Sequence, residues 1–245
     1  MTDMYVYDFA FQNMAATGSA YAARLIISAT KTILPVKSVV DIGCARGTWL
    51  REWREQDVGD VVGVDGDYVD RSKLEIDSRH VFIHDLATPF NLGRRFDLAQ
   101  SLEVAEHLPL SRATTFVADL ATLAPVVLFS AAAPGQGGEN HLNEQHGAFW
   151  QALFAEHDFV AIDCFRPILA KDEKVPAWYR YNLMLYVRRS SLHGIDPFAR
   201  QFQLRDGESV CDTSPLPCRL RKRVVRALPK ADCDRIARWN ARRFP

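Results

Sequence analysis

Short, largely apolar runs, several of them β-branched, recur along the first three quarters of the chain, separated by segments in which apolar positions return at helical spacing. The runs are Ser38-Val-Val-Asp-Ile-Gly43, Val61-Val-Gly-Val-Asp65, His80-Val-Phe-Ile-His-Asp85, Phe96-Asp-Leu-Ala-Gln-Ser101 and Pro125-Val-Val-Leu-Phe-Ser130, with further strand-like stretches at 159–165 and 181–188. Helical spacing marks 18–33, ended by Leu34-Pro35, and also 48–56, 113–123 and 148–157. Strands buried on both faces read as continuous apolar runs, and strands that alternate with helices predict a doubly wound, mostly parallel sheet. Seven strands are expected. The last two leave room for at most a short helix at 172–179, so the final strand is expected to be antiparallel.

This core is expected to occupy residues 1–190. Residues 191–245 form a separate extension, with Ser190-Ser-Leu-His-Gly and Pro215-Leu-Pro217 read as linkers and basic helices between Arg219 and Arg243. The 245 residues balance 30 Lys+Arg against 30 Asp+Glu, but unevenly: the extension carries a net +6 and the body −6. The run Arg219-Leu-Arg-Lys-Arg-Val-Val-Arg226 suits nucleic acid, an acidic membrane surface, a phosphorylated substrate, or simply a solvated helix face against the acidic body; the sequence leaves these open. The 48% hydrophobic content excludes a disordered chain, and no apolar run approaches the ~20 residues that span a bilayer. The N-terminus shows no basic region followed by an apolar core, so a cytoplasmic location is expected. Five scattered cysteines without a CxxC pair argue against a disulfide framework or zinc ribbon.

The sharpest feature is the strand–turn–helix segment Val39-Val-Asp-Ile-Gly-Cys-Ala-Arg-Gly-Thr-Trp-Leu50. Small residues there allow close backbone approach to a ligand, and the helix start offers free N–H groups. Ligands of open α/β sheets bind beyond the carboxyl ends of the strands, so Asp65, Asp85 and Gln100-Ser101 are expected to converge on the same crevice. Taken together these stretches resemble the class I S-adenosylmethionine-dependent methyltransferases, which have a Rossmann-like fold. The matching elements are Asp41-x-Gly43-x-Ala45-x-Gly47, the second-strand acid Asp65, His84-Asp85-Leu86, and Phe96-Asp-Leu-Ala-Gln-Ser-Leu-Glu-Val. The resemblance covers about residues 20–190. It implies S-adenosylmethionine as cofactor, bound by Asp41, Gly43, Cys44, Ala45, Gly47, Trp49, Asp65, Gly66, Asp85, Leu86 and Ser101, with Asp65 on the ribose diol and Asp85 near the adenine. Ala45 stands where the family commonly has glycine.

Glu103-Val-Ala-Glu-His-Leu108 follows the fourth strand. On a helical turn Glu103, Glu106 and His107 would share a face, and two carboxylates so close need a positive partner, either a divalent cation or the neighbouring Arg112. This stretch resembles ubiquinone-biosynthesis O-methyltransferases and small-RNA 3′-terminal 2′-O-methyltransferases. That resemblance makes Glu103, Glu106 and His107 candidate ligands of Mg²⁺, Mn²⁺, Fe²⁺ or Zn²⁺, and His141 is taken as the candidate fourth. The alternative is His107 or His141 as general base, oriented by Glu103 or Glu106.

The polar, glycine-rich stretch 130–145 places Gln136, Asn143, Glu144 and Gln145 as substrate-binding candidates, with Trp150, Trp178 or Tyr179 stacking on a sugar face. It resembles bacterial small-molecule and glycan methyltransferases with a similar loop. The expected activity is O-methylation of a small polar hydroxylated substrate, a sugar or nucleotide sugar. RNA 2′-O-methylation, N-methylation of a small natural-product amine, and a cofactor-binding module without chemistry are the alternatives. Tyr5 and Tyr7 are lid candidates. The sequence sets no oligomeric state.

Overall fold

The computed structural model describes residues 9–243, with side chains over 19–239; Tyr5 and Tyr7 lie outside the described residues. A long helix α1 (Phe9–Ile33) leads into β1 (Ser38–Ile42), α2 (Thr48–Glu55), β2 (Asp60–Asp65), β3 (Val81–Ile83), β4 (Leu98–Leu102), α3 (Ala113–Leu123), β5 (Val126–Ser130), α4 (Gly147–Ala155) and β6 (Phe159–Ile162). Two short helices, α5 (Arg166–Leu169) and α6 (Ala177–Asn182), then precede β7 (Met184–Arg188). The strands form one sheet in the order β3-β2-β1-β4-β5-β7-β6, parallel except that β7 slots antiparallel between β5 and β6. The doubly wound α/β expectation, seven strands with an antiparallel last strand, is met.

Alternation along each strand feeds two cores. Val39 packs under α1 and α2 with Ile26, Ile27, Leu50 and Trp53, while Val40 and Ile42 face α3 and α4 with Phe116, Leu120 and Phe154. Buried polar strand residues are therefore the exceptions, and they stand toward the carboxyl ends: Asp41 of β1, Asp65 of β2, Gln100 and Ser101 of β4 and Ser130 of β5. The strand expected at 181–188 starts at Met184 because residues 177–182 coil into α6. Its predecessor stops at Ile162, where the extension adds a bridge, Ile162 opposite Gln203.

The extension is built differently from expected. The stretch read as a first linker is a 3-10 turn, Arg189–Gly194, and the chain beyond it buries Ile195, Ala199, Val210 and Ser214 against the body. Helix α7 (Pro197–Arg200) sits within that stretch. The second expected linker starts α8 (Leu216–Arg226): Pro215 caps the helix and Pro217 lies in its first turn, where a missing N–H costs nothing. Helix α9 (Lys230–Arg243) follows and lies beside α1. No helix among the described residues is long and apolar enough to cross a membrane.

Candidate active site

A crevice of about 1130 Å³ opens at the carboxyl ends of β1, β2 and β4. Its floor is the turn after β1. Gly43 has φ +86°, and a Cβ there would overlap the Val104 isopropyl group. Gly47, the cap of α2, has φ +80°, and Ala45 holds φ +46° in the same left-handed region. The residue that replaces the usual glycine is thus the strained one, stabilised by its N–H, which donates to Asp65 Oδ2 at 2.6 Å. Asp65 is buried and also accepts from Gly66 N at 2.7 Å and from the Tyr68 hydroxyl. Its carboxylate therefore ties the β2 end to the β1 turn.

Asp41, Gly43, Cys44, Ala45, Trp49, Asp65, Gly66, Asp85 and Leu86 all line the crevice, and Gly47 shapes it from the start of α2. Ser101 does not: it is buried in the sheet, Gln100 beside it accepts from Trp53 Nε1, and the β4 end meets the crevice one step later, at Leu102, Glu103 and Val104. Tyr68, which sequence reasoning missed, occupies the carboxylate of Asp65; an aromatic three residues after a strand-end acid was the available signal.

Burial pushes the Asp41 carboxyl up from 3.8 to about 7, with the Asp65 carboxylate adding to the shift. Its folded pKa lies above the unfolded one, so the native state binds the extra proton between about pH 4 and 7. Stability accordingly falls as pH rises through that window and levels off above it, by up to about 4 kcal/mol from this group. Denaturant titrations at pH 5 and pH 8 should show that fall shrinking in Asp41→Asn.

The part of the crevice beyond β4 is arranged differently from the expected helical face. Only Ala105–His107 forms a turn, a 3-10 one, and Glu103 stands before it at φ +56°. Glu103 Oε2 accepts from Gln136 Nε2 at 2.8 Å and Oε1 from Asn182 Nδ2 at 3.2 Å, which sets it apart as an expected metal ligand. Glu106, His107 and His141 do come together, with one donor atom from each within 4.8 Å of the others. The two imidazoles meet edge to face at 4.9 Å. Burial, then the Glu103 charge, pushes the Glu106 carboxyl well up; burial, then His141, pushes His107 down to about 3. Arg112 is not the cation between the two acids. It pairs with Asp119 and donates to the Leu86 and Thr88 carbonyls.

The loop after β5 contributes Gln136 and His141 to the crevice. Asn143, Glu144, Gln145 and Trp150, expected to bind substrate, turn away from it. Asn143 is buried, bound through its N–H to the Glu106 carbonyl and through its side chain to Gln145. Trp150 lies on the core face of α4 against Phe129. Glu144 pins the loop, accepting from Gly135 N at 2.7 Å and Gly137 N at 2.8 Å, and its Oε1 meets His141 Nδ1 at 2.7 Å. Burial alone would raise the Glu144 carboxyl, but His141 and the two N–H groups hold it below the usual range. The carboxylate that meets His141 is thus Glu144, not Glu103 or Glu106. Trp178 and Tyr179 line the opposite wall.

No curated protein sequence matches the chain. Among solved structures, a sugar N-methyltransferase of Streptoalloteichus superposes with a TM-score of 0.58 at 16% identity, covering 77% of this chain and 96% of its own. A magnesium protoporphyrin IX methyltransferase of Synechocystis with bound S-adenosylmethionine gives 0.51 at 18%, covering 76% and 86%. An O-methyltransferase family protein of Burkholderia thailandensis gives 0.54 at 12%, covering 72% and 59%. These likenesses concern the fold. A family model described as a methyltransferase domain matches residues 14–162, the span that contains the whole glycine turn, both strand-end acids and the His107–His141 pair, and the chain belongs to that methyltransferase family.

Proposed function

We propose that the chain is an S-adenosylmethionine-dependent O-methyltransferase acting on a hydroxyl of a small polar substrate, a sugar or nucleotide sugar. The observation that carries this reading is the His141–Glu144 pair at the crevice rim. Glu144 accepts from one imidazole nitrogen and leaves the other free to take a proton from a hydroxyl. The residues fit the cofactor: the turn after β1 brings the backbone of Gly43, Cys44 and Ala45 onto the crevice wall, and Asp65 presents a buried carboxylate suited to a ribose diol. Bound there, S-adenosylmethionine would supply a methyl group on a sulfonium. Asp41 and the β1 turn orient it, while His141 removes the proton that the acceptor oxygen loses. Gln136, held by Glu103 and Asn182, offers amide groups to a hydroxyl-rich substrate. The crevice exceeds the ~300–1,000 Å³ typical of a single ligand, which suits a cofactor plus a small acceptor.

A metal-assisted version rests on a separate observation. Glu106 Oε2 is buried without a hydrogen-bond partner among the described residues, beside two imidazoles. A carboxylate and two imidazoles fit Mg²⁺, Mn²⁺, Fe²⁺ or Zn²⁺, and Glu106, His107 and His141 would hold the ion, which would lower the pKa of a bound hydroxyl. N-methylation of an amino sugar is the second reading, favoured by Glu103, whose carboxylate on the crevice wall suits an ammonium group.

Methyl-labelled S-adenosylmethionine, incubated with the protein and fractionated sugars and nucleotide sugars, separates these readings. Label on a hydroxyl, retained after chelation, is the expected result. Loss on chelation with recovery in Mn²⁺ selects the metal-assisted version, label on an amine selects the second reading, and nuclease-sensitive label overturns both in favour of RNA.

A further inference from the structure

The basic extension remains unexplained by the active site. Helix α8 is fastened by one face: Arg221 donates to the Gln136 carbonyl at 3.0 Å, Lys222 Nζ meets Asp212 Oδ2 at 3.0 Å, and the Lys222 carbonyl presses on Gly135. At 3.6 residues per turn the opposite face carries Leu216, Leu220 and Val224 in line, with Leu228 just past the helix continuing the same spacing. These side chains are exposed by 60%, 49% and 65%, and Leu228 by 36%. Along one flank of the stripe stand Arg219, Arg223 and Arg226, all exposed.

An exposed aliphatic stripe costs hydration free energy unless something covers it, and the flanking arginines select an anionic cover. We propose that α8 is an interfacial helix that docks the enzyme on an anionic lipid bilayer. Leu216, Leu220 and Val224 would enter the headgroup–acyl boundary, and Arg219, Arg223 and Arg226 would lie among the phosphates. The stripe is already formed and held outward by the α8 attachments, so docking requires no refolding. The net +6 of residues 191–245 adds long-range attraction. Nucleic acid fits less well, because the stripe is aliphatic and gives no surface on which bases stack. Arg221 ties α8 to the loop that holds Gln136, so the docked surface adjoins the rim of the crevice.

The test is sedimentation of the full chain with sucrose-loaded vesicles of phosphatidylcholine, with and without phosphatidylglycerol. Binding is expected only to the vesicles containing phosphatidylglycerol and is expected to weaken at high salt. Each of Arg219→Gln and Arg223→Gln should lower it about fivefold, as follows from about 1 kcal/mol per basic residue. The double change Leu220→Glu, Val224→Glu should abolish it while leaving the melting temperature and S-adenosylmethionine binding unchanged. Failure of the unmodified chain to sediment with either vesicle overturns the proposal, as does undiminished binding by the double variant. A dimer that the double variant dissolves, or RNA binding that the same variant loses, would also overturn it.

Discussion

His141→Ala is expected to lower kcat by about 10²–10⁴-fold, the usual contribution of a positioned proton acceptor, with cofactor affinity unchanged. His141 lines the crevice, but its Nδ1 is engaged by Glu144, and Glu144 is itself fixed by the N–H groups of Gly135 and Gly137. The ring is therefore pre-oriented, and the loss belongs to the chemical step rather than to binding. Single-turnover transfer measured with the preferred acceptor checks this. Added imidazole restores part of the rate if the ring works as a base; excess Mn²⁺ restores it if the ring works as a ligand. Unchanged kcat would remove His141 from the mechanism.

Asp65→Ala should weaken S-adenosylmethionine binding by about 10²–10⁴-fold, read by calorimetry. One ribose hydroxyl would take the lone pair left on Asp65 Oδ2 and the other the place of the Tyr68 hydroxyl on Oδ1, and hydrogen bonds to such a charged acceptor contribute roughly 1.5–3 kcal/mol each. The same substitution strands the N–H of Ala45 and of Gly66, both of which now end on this carboxylate. Because Ala45 sits at φ +46°, the β1 turn loses the bond that holds its strained residue, and the melting temperature should fall as well. Asp65→Asn keeps an oxygen for one donor and should recover more stability than affinity. Wild-type affinity in Asp65→Ala would place the cofactor elsewhere.

The sheet was legible because its strands are short, largely apolar runs alternating with helical segments, the first three of them running into Asp41, Asp65 and Asp85, and α3 was legible at both ends, residues 113–123. Helix α6 was legible only at its start, within the short helix allowed at 172–179; its end, Tyr181-Asn182, read as strand because Ala-Trp-Tyr-Arg-Tyr-Asn is rich in aromatics that favour strands. Asp41, Asp65 and the glycine turn could be read because strand ends fix where their side chains point. The loop after β5 could not be read that way. Its conformation depends on Glu144 returning to Gly135 and Gly137, and on contacts with residues far along the chain, such as Asp234 Oδ1 accepting from Asn140 N at 2.9 Å. Trp150 was readable after all: Trp150, Leu153 and Phe154 stand at helical spacing on the buried face of α4.

The anchoring of that loop also sets an order of events as the chain is made. β7 completes the sheet at Arg188, whereas Arg221, Lys222 and Asp234, which fasten residues 135–140, follow only later. On the ribosome the cofactor crevice would form first and the rim carrying His141 last. Stalled chains with residues 1–214 already outside the ribosome, which includes β7 and the buried Ile195, Ala199 and Val210, should therefore capture S-adenosylmethionine before they can transfer its methyl group, so the nascent protein acquires affinity ahead of activity.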